Sequence, residues 1–253
     1  MPLIHPTTRQ VNAKIVYYGA SGTGKTTNLR QLYQRLAPKD KGEFRTMPLF
    51  GDQTASFYFF PMDVGKVQDY QLRMHLYTVQ GEMNSYEAAH RLVLTGTDGV
   101  VFVADSQEQA MERNLEQLQL FQISLAEAGR DHREVPIVFQ YNKRDLPGIL
   151  SVEELNHYLN PTALAYLEAT ASRGAGVVET LARISKLVLQ QVKRSLETQA
   201  AGWDEDPVLR FIRSKKFIQG TGVGAFRDRR DEPAAEKEEK ASRYRDIFGR
   251  SWM

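Results

Sequence analysis

Gly19-Ala20-Ser21-Gly22-Thr23-Gly24-Lys25-Thr26 constrains this chain more tightly than any other stretch of its sequence. The segment fits G-x-x-x-x-G-K-[ST], and the physics needs each part. Glycine permits the backbone curl that turns successive N–H groups toward one anion. A helix starting behind the loop adds its positive N-terminal end to the same place. Lys25 supplies a point charge for β- and γ-phosphates, and the Thr26 hydroxyl is placed to ligate Mg2+. The flanks agree. Val11–Tyr18 is short, apolar and β-rich, and Thr26–Leu36 lines up Leu29, Leu32 and Leu36 before stopping near Pro38.

The rest of the first 198 residues continues to alternate strand-like and helix-like segments, which predicts an α/β fold with a largely parallel sheet. Phe57–Met62 and Leu72–Val79 read as adjacent strands, the second turning Leu72, Met74 and Leu76 inward against Arg73, His75 and Tyr77. Val100–Ala104 and Val135–Tyr141 are apolar runs of the kind expected for central strands buried on both faces. Glu108–Ala128 has helical spacing and ends at Gly129, a C′ glycine. Ser151-Val-Glu-Glu154 reads as a capping box opening another helix. Leu164–Ala169 is the last predicted strand and Val177–Val192 the last helix.

The base is read elsewhere. Asn142-Lys143-Arg144-Asp145 follows directly on a core strand and fits N-K-x-D. A carboxylate at Asp145 accepts from both N1–H and the 2-amino group of guanine. Adenine lacks that amino group and presents an acceptor at N1, so it would leave the carboxylate unpaired at considerable cost. Asn142 holds the base edge and its loop, and the Lys143 stem lies over the ring. Glu168-Ala169-Thr170-Ala171-Ser172, which ends the last strand, resembles the loop whose backbone N–H contacts guanine O6 in GTP-binding proteins.

Composition narrows the alternatives. There is no cysteine, which removes disulfides, thiolate metal sites, prenylation and palmitoylation. The N-terminus carries no secretory pattern and no apolar run approaches about 18 residues, so no transmembrane segment is expected and a cytoplasmic protein is. Residues 1–198 hold 21 Lys and Arg against 21 Asp and Glu, and 199–253 hold 12 against 10. Neither part has the basic balance of a nucleic-acid binder, so partners are expected to be proteins.

More of the chain joins these motifs into one pattern. Lys14-Ile-Val-Tyr-Tyr-Gly19 leads into Gly24-Lys-Thr-Thr-Asn-Leu29, and His75-Leu-Tyr-Thr-Val79 is followed by Gly81. Asp98-Gly-Val-Val-Phe-Val-Ala-Asp-Ser-Gln107 and Gln140-Tyr-Asn-Lys-Arg-Asp-Leu-Pro147 complete it. With these elements in order, residues 11–198 resemble the Ras-like small GTPases. More narrowly they resemble the MglA family, bacterial GTPases that set cell polarity and drive gliding and pilus-dependent motility. The resemblance implies a P-loop G domain over 1–198, with helices on both faces of a mostly parallel sheet, binding GTP or GDP with Mg2+. It assigns nucleotide contacts to Gly19, Ala20, Ser21, Gly22, Thr23, Gly24, Lys25, Thr26, Thr27, Thr54, Thr78, Gly81, Asn142, Lys143, Asp145, Thr170, Ala171 and Ser172. Metal ligands fall to Thr26 and Thr54. Thr78 stands where most Ras-like proteins have an Asp that holds Mg2+ through water. It also implies a dimeric Roadblock-type co-regulator, polarity or motility effectors, and recruitment to a cell pole.

The residues in catalytic positions depart from that pattern. GTP hydrolysis is mostly positioning and charge stabilisation. Gly81 is followed by Glu82 rather than the usual water-orienting Gln, and Gln53 stands where the family places an arginine before the switch threonine. Lys25 remains. An arginine finger is worth on the order of 10³–10⁵ in rate, so intact binding with slow turnover is expected. Two rescues stay open: Gln53 orienting water, or a cation from Arg45 or a partner. Glu43–Thr54 and Gln80–His90 are the expected switch loops, with Phe44, Leu49, Phe50, Met83 and Tyr86 as effector contacts or as packing beneath the loops.

Residues 199–253 form a charged extension with two apolar-basic islands, Val208–Ile218 and Tyr244–Trp252. A passive linker, a partner-binding element and a weak membrane-surface binder all fit it. Three functions compete for the whole: a GTP switch, a GTP-bound scaffold without useful turnover, and a P-loop kinase or ATPase. Asn142 and Asp145 argue against the last.

Overall fold

In the computed structural model, which describes residues 2–5, 7–49, 52–67, 69–80, 87–131 and 133–197, strands and helices alternate along the chain. The strands are β1 (Leu3–His5), β2 (Gln10–Tyr18), β3 (Arg45–Leu49), β4 (Asp52–Val67), β5 (Tyr70–Gln80), β6 (Gly99–Asp105), β7 (Ile137–Asn142) and β8 (Tyr166–Glu168). The α-helices among the described residues are α1 (Lys25–Arg35), α2 (Glu87–Leu94), α3 (Met111–Glu127), α4 (Val152–Leu159) and α5 (Val177–Glu197).

The sheet runs β3-β4-β5-β2-β6-β7-β8, with β1 paired to the start of β2. From β5 through β8 neighbouring strands are parallel, while β3, β4 and β5 form an antiparallel meander. All seven residues of β6 and all six of β7 are buried, as their apolar runs require of strands covered on both faces.

Two apolar layers sandwich the sheet. On one face Ile15, Tyr17, Met74 and Leu76 pack against Leu29 and Leu32 of α1 and Leu181, Ile184 and Val188 of α5. On the other, Val16, Tyr18, Val100 and Phe102 meet Val93 of α2, Phe121 and Leu125 of α3 and Leu155 of α4. The helix after β2 therefore leaves to one face and the helix after β6 to the other. The crevice between such connections, at the C-terminal ends of parallel strands, is where α/β sheets bind ligands.

Local signals were realised closely. Ser151 Oγ accepts from Glu154 N at 3.1 Å while Ser151 N donates to Glu154 Oε2 at 2.9 Å, closing the capping box on α4. Gly129 takes φ +70° just past α3. The predicted helix from Glu108 divides into a 3₁₀ turn, Glu108–Ala110, and α3. The two strands expected near Phe57 and Leu72 are longer than expected and pair as a hairpin from Ser56↔Gln80 to Val67↔Tyr70.

One expectation changes. Glu43–Thr54 is not a loop throughout: β3 and the start of β4 make it an antiparallel ribbon, with Pro48 opposite Ser56. Proline hides the strand in the sequence, yet at a sheet edge its missing N–H costs no ladder bond. Of the second expected switch, residues 81–86 lie outside the described residues and α2 starts at Glu87. The extension 199–253 also lies outside them. Among the described residues no helix is long and apolar enough to cross a membrane.

Replacing Ser151 by Ala should lower the unfolding free energy by about 1 kcal/mol, the usual worth of a helix cap, without changing nucleotide affinity. A denaturant midpoint equal to that of the unaltered chain would show that the capping box contributes nothing.

Candidate nucleotide-binding site

β2 ends at Tyr18 and the backbone turns sharply, with Gly19, Gly22 and Gly24 at φ +139°, +77° and +101°. Two of these positions are also too close to neighbours for a side chain. A Cβ on Gly19 would lie 2.2 Å from the Val103 carbonyl oxygen, and one on Gly24 would lie 2.2 Å from Asn142 Nδ2. The loop is thus pressed against β6 and β7 at the crevice. Ser21 and Gly22 are exposed, and Thr23 is buried, its hydroxyl donating to Ala20 O at 3.0 Å.

Helix α1 begins at Lys25 with Gly24 as its N-cap, no side-chain cap bond and no acidic residue in its first turn. Its leading N–H groups are left for an anion. Lys25 is buried, donating to Gly19 O at 2.8 Å and Ala20 O at 2.7 Å. Desolvation by burial pulls its ammonium down to about 8. Thr26 and Thr27 follow, both half-buried, on the first turn.

Asn142, at the end of β7, ties the site together. Its Nδ2 donates to Thr23 O at 2.7 Å, and its Oδ1 accepts from Ala171 N at 2.9 Å. One side chain therefore bridges the phosphate loop and the loop after β8. That second loop is closed by paired backbone bonds between Thr170 and Ala175, and α1 holds it from outside: Gln31 Nε2 reaches Ser172 O at 3.2 Å and Arg35 Nη1 reaches Gly174 O at 2.9 Å.

Lys143 takes φ +65° and donates to Asp105 Oδ2 at 2.6 Å. Asp105 is itself fixed, its other oxygen accepting from Gln107 N at 3.1 Å. Asp145 has Arg173 at 3.6 Å, beyond a close hydrogen bond, while Arg144 is occupied by Glu168 at 2.9 Å and Leu150 O at 2.6 Å. The carboxylate of N-K-x-D is the acceptor in this cluster with capacity left for a ligand's N–H groups.

The residues present also suit Mg2+. Thr78, on β5 between Tyr17 of β2 and Tyr58 of β4, is fully buried, and its Oγ1 has no hydrogen-bond partner among the described residues. By alternation with Met74 and Leu76 it faces the side on which α1 lies. A buried hydroxyl without a partner is costly, and a water of a hydrated cation supplies one. Thr26 is the protein ligand on offer.

The remaining site residues are not gathered here. Gln53 and Thr54 lie on β4, two strands away from β2, and nothing of their side chains is described. Thr54 was expected just ahead of a strand and is instead within it. Gly81 and Glu82 lie outside the described residues. Arg45 pairs with Glu43 at 3.1 Å, and the Phe44 ring packs on Tyr33 and Phe60 at centroid distances of 5.3 and 5.8 Å.

Sequence reasoning gave no role to Gln31 and Arg35, half-buried and exposed polar residues with no motif of their own, nor to the buried Asp105, whose partner follows a different strand. It also passed over Gln140, although an amide inside an otherwise apolar strand was a visible signal.

The family model described as the ADP-ribosylation factor family matches residues 3–194. Mutual gliding-motility protein MglA of Myxococcus xanthus (strain DK1622) is 44% identical over 194 residues, covering 77% of this chain and 99% of that protein. The chain belongs to the MglA-type small GTPases. ADP-ribosylation factor-like protein 4D of Homo sapiens is 34% identical over 103 residues, 38% of this chain and 49% of that protein. Membership implies guanine-nucleotide binding by this chain, with GTP hydrolysis as the family's reaction and Mg2+ as its usual companion.

For this GTPase the state of Lys25 sets a pH dependence. A phosphate beside the ammonium favours its charged form, so binding above pH about 8 must take up a proton. GDP affinity should therefore fall about twofold from pH 7 to 8 and about tenfold by pH 9. Calorimetry in buffers of different ionisation heat would register the proton uptake, and a pH-independent affinity would contradict the assignment.

Proposed function

We propose that this GTPase is a nucleotide-dependent switch regulating bacterial cell polarity and motility, with a long-lived GTP form. The observation that carries the nucleotide half is the Asn142 bridge, which holds the phosphate loop and the base loop on one side chain. The motility half is supported by 44% identity along nearly the whole of a protein named for mutual gliding motility.

In this reading the glycine loop and the first turn of α1 hold the phosphates, with Lys25 on the β- and γ-groups. Asp145 accepts from the guanine edge, Ala171 N–H and its neighbours Thr170 and Ser172 meet O6, and Lys143 is steered by Asp105. Thr26 would hold the metal, Thr54 would join it only if β4, two strands from β2 here, moves toward the site, and Thr78 would contact the metal's water. Mg2+, when bound, neutralises charge on the β- and γ-phosphates.

Slow turnover rests on the sequence. A carboxylate at Glu82 accepts a hydrogen bond from water but repels the γ-phosphate, and Gln53 brings no cation. The switch segments are read by proteins, a Roadblock-type dimeric co-regulator and polarity effectors among them, in the cytoplasm and at a cell pole. Residues 199–253 act as a separate charged extension to the 1–198 domain, as a linker, a partner element or a weak membrane contact.

Single-turnover GTP hydrolysis tests the kinetic claim. The Gln53→Arg, Glu82→Gln double variant should hydrolyse at least about 10³-fold faster than the unaltered chain. Equal rates would remove the slow-turnover reading. A rate indistinguishable from zero in the unaltered chain would instead mark a GTP-bound scaffold.

A further inference from the structure

Beneath the Asn142 bridge lies a second polar contact that no nucleotide motif accounts for. Gln140 sits in the middle of β7, and Asn28 faces it from the first turns of α1. Both are fully buried, and so is Thr180 on α5. Burying a carboxamide without partners is costly, so such groups persist where their bonds are made. Here they are all made. Asn28 Nδ2 donates to Gln140 Oε1 at 2.8 Å and Gln140 Nε2 donates back to Asn28 Oδ1 at 2.9 Å. The second N–H of Asn28 goes to Gly24 O at 3.0 Å, and the second N–H of Gln140 to Thr180 Oγ1 at 2.9 Å. Thr180 Oγ1 in turn donates to Gly176 O at 2.6 Å.

Stability alone does not call for this arrangement. Replacing both members of a buried hydrogen-bonded pair by apolar groups of similar shape is often neutral or stabilising. Its two ends are informative. Gly24 is the last glycine of the phosphate loop, immediately before Lys25. Gly176 ends the loop that carries Thr170, Ala171 and Ser172, and it too is hemmed in, since a Cβ there would lie 2.2 Å from Glu168 O. The chain of amides thus runs from the backbone of the phosphate loop to the backbone of the base loop. It passes through the strand that presents Asn142 two residues later. Apolar contacts are non-directional and tolerate sliding, whereas reciprocal amide bonds fix both distance and direction.

We propose that Asn28, Gln140 and Thr180 are positioning residues that set the spacing between the phosphate cradle and the base-reading loops, and that guanine specificity depends on them. This rests on the reading of the site as a guanine-nucleotide site. A rigid spacing lets the phosphates, once seated, hold the base edge against Asp145. A slack one lets the base shift while the phosphates stay bound.

The test compares GDP with IDP, which lacks the 2-amino group, on the full chain. In the Asn28→Leu, Gln140→Leu double variant the preference for GDP over IDP should fall about tenfold, within the usual range of couplings between sites, while the unfolding midpoint is kept. The swapped pair, Asn28→Gln with Gln140→Asn, should recover part of the preference. An unchanged preference in the double-leucine variant would overturn the proposal, whatever the midpoint does. Should that variant not fold, Thr180→Val serves instead: it breaks the chain at one hydroxyl, and severalfold loss of preference is expected. An unchanged preference there would equally refute the positioning role. If the unaltered chain failed to distinguish GDP from IDP or ADP, the guanine-site reading itself would be wrong and this proposal with it.

Discussion

The Asn142 side chain holds the site in being. It is one amide, buried at the end of a core strand, with its donor on the phosphate loop and its acceptor on the base loop. The glycine loop lies outside any helix or strand and the loop after β8 holds only a short 3₁₀ turn, Ala171–Arg173, so each leaves backbone groups that need partners. A single rigid side chain between them satisfies one group on each and sets their separation. Gly24 is glycine partly for this reason, because a Cβ there would collide with the amide.

The sheet makes that contact possible. Parallel strands β2, β6, β7 and β8 deliver their C-terminal ends to one edge, and oppositely directed connections open the crevice between β2 and β6. Buried on both faces, β6 and β7 give Asp105 and Asn142 platforms that cannot shift without disturbing two cores. Electrostatics then follows from burial. The Lys25 ammonium is held by two carbonyl oxygens at the head of α1, and the Thr78 hydroxyl has no partner among the described residues.

Most of the frame was legible in the sequence, and so were the motifs that outline the candidate site. The glycines, Lys25, Asn142 and Asp145 stand out because few residue types fit their motif positions, and the structure gathers Gly19, Gly24, Lys25 and Asn142 at one end of the sheet. The capping box at Ser151 was legible for the same reason. What escaped depends on the tertiary structure. β3 is disguised by Pro48, a residue that reads as a strand breaker until the strand is known to be an edge. The Asn28–Gln140 pair joins residues far apart in sequence, so neither partner announces the other. Lys143 was expected over the base, and its bond to Asp105 became visible only when β6 and β7 lay side by side. The proposed slow turnover is legible only as an anomaly, with Gln53 and Glu82 standing where the resembled pattern has Arg and Gln.

Guanine selectivity is the property on which every other claim leans, and equilibrium competition measures it most directly. Labelled GTP bound to the full chain in Mg2+ should stay bound against unlabelled ATP in roughly thousandfold excess, as expected when a buried polar group would be left unpaired by the wrong base. Displacement by ATP on equal terms with GTP would mean that Asp145 does not read the purine, and the account would fail at its base.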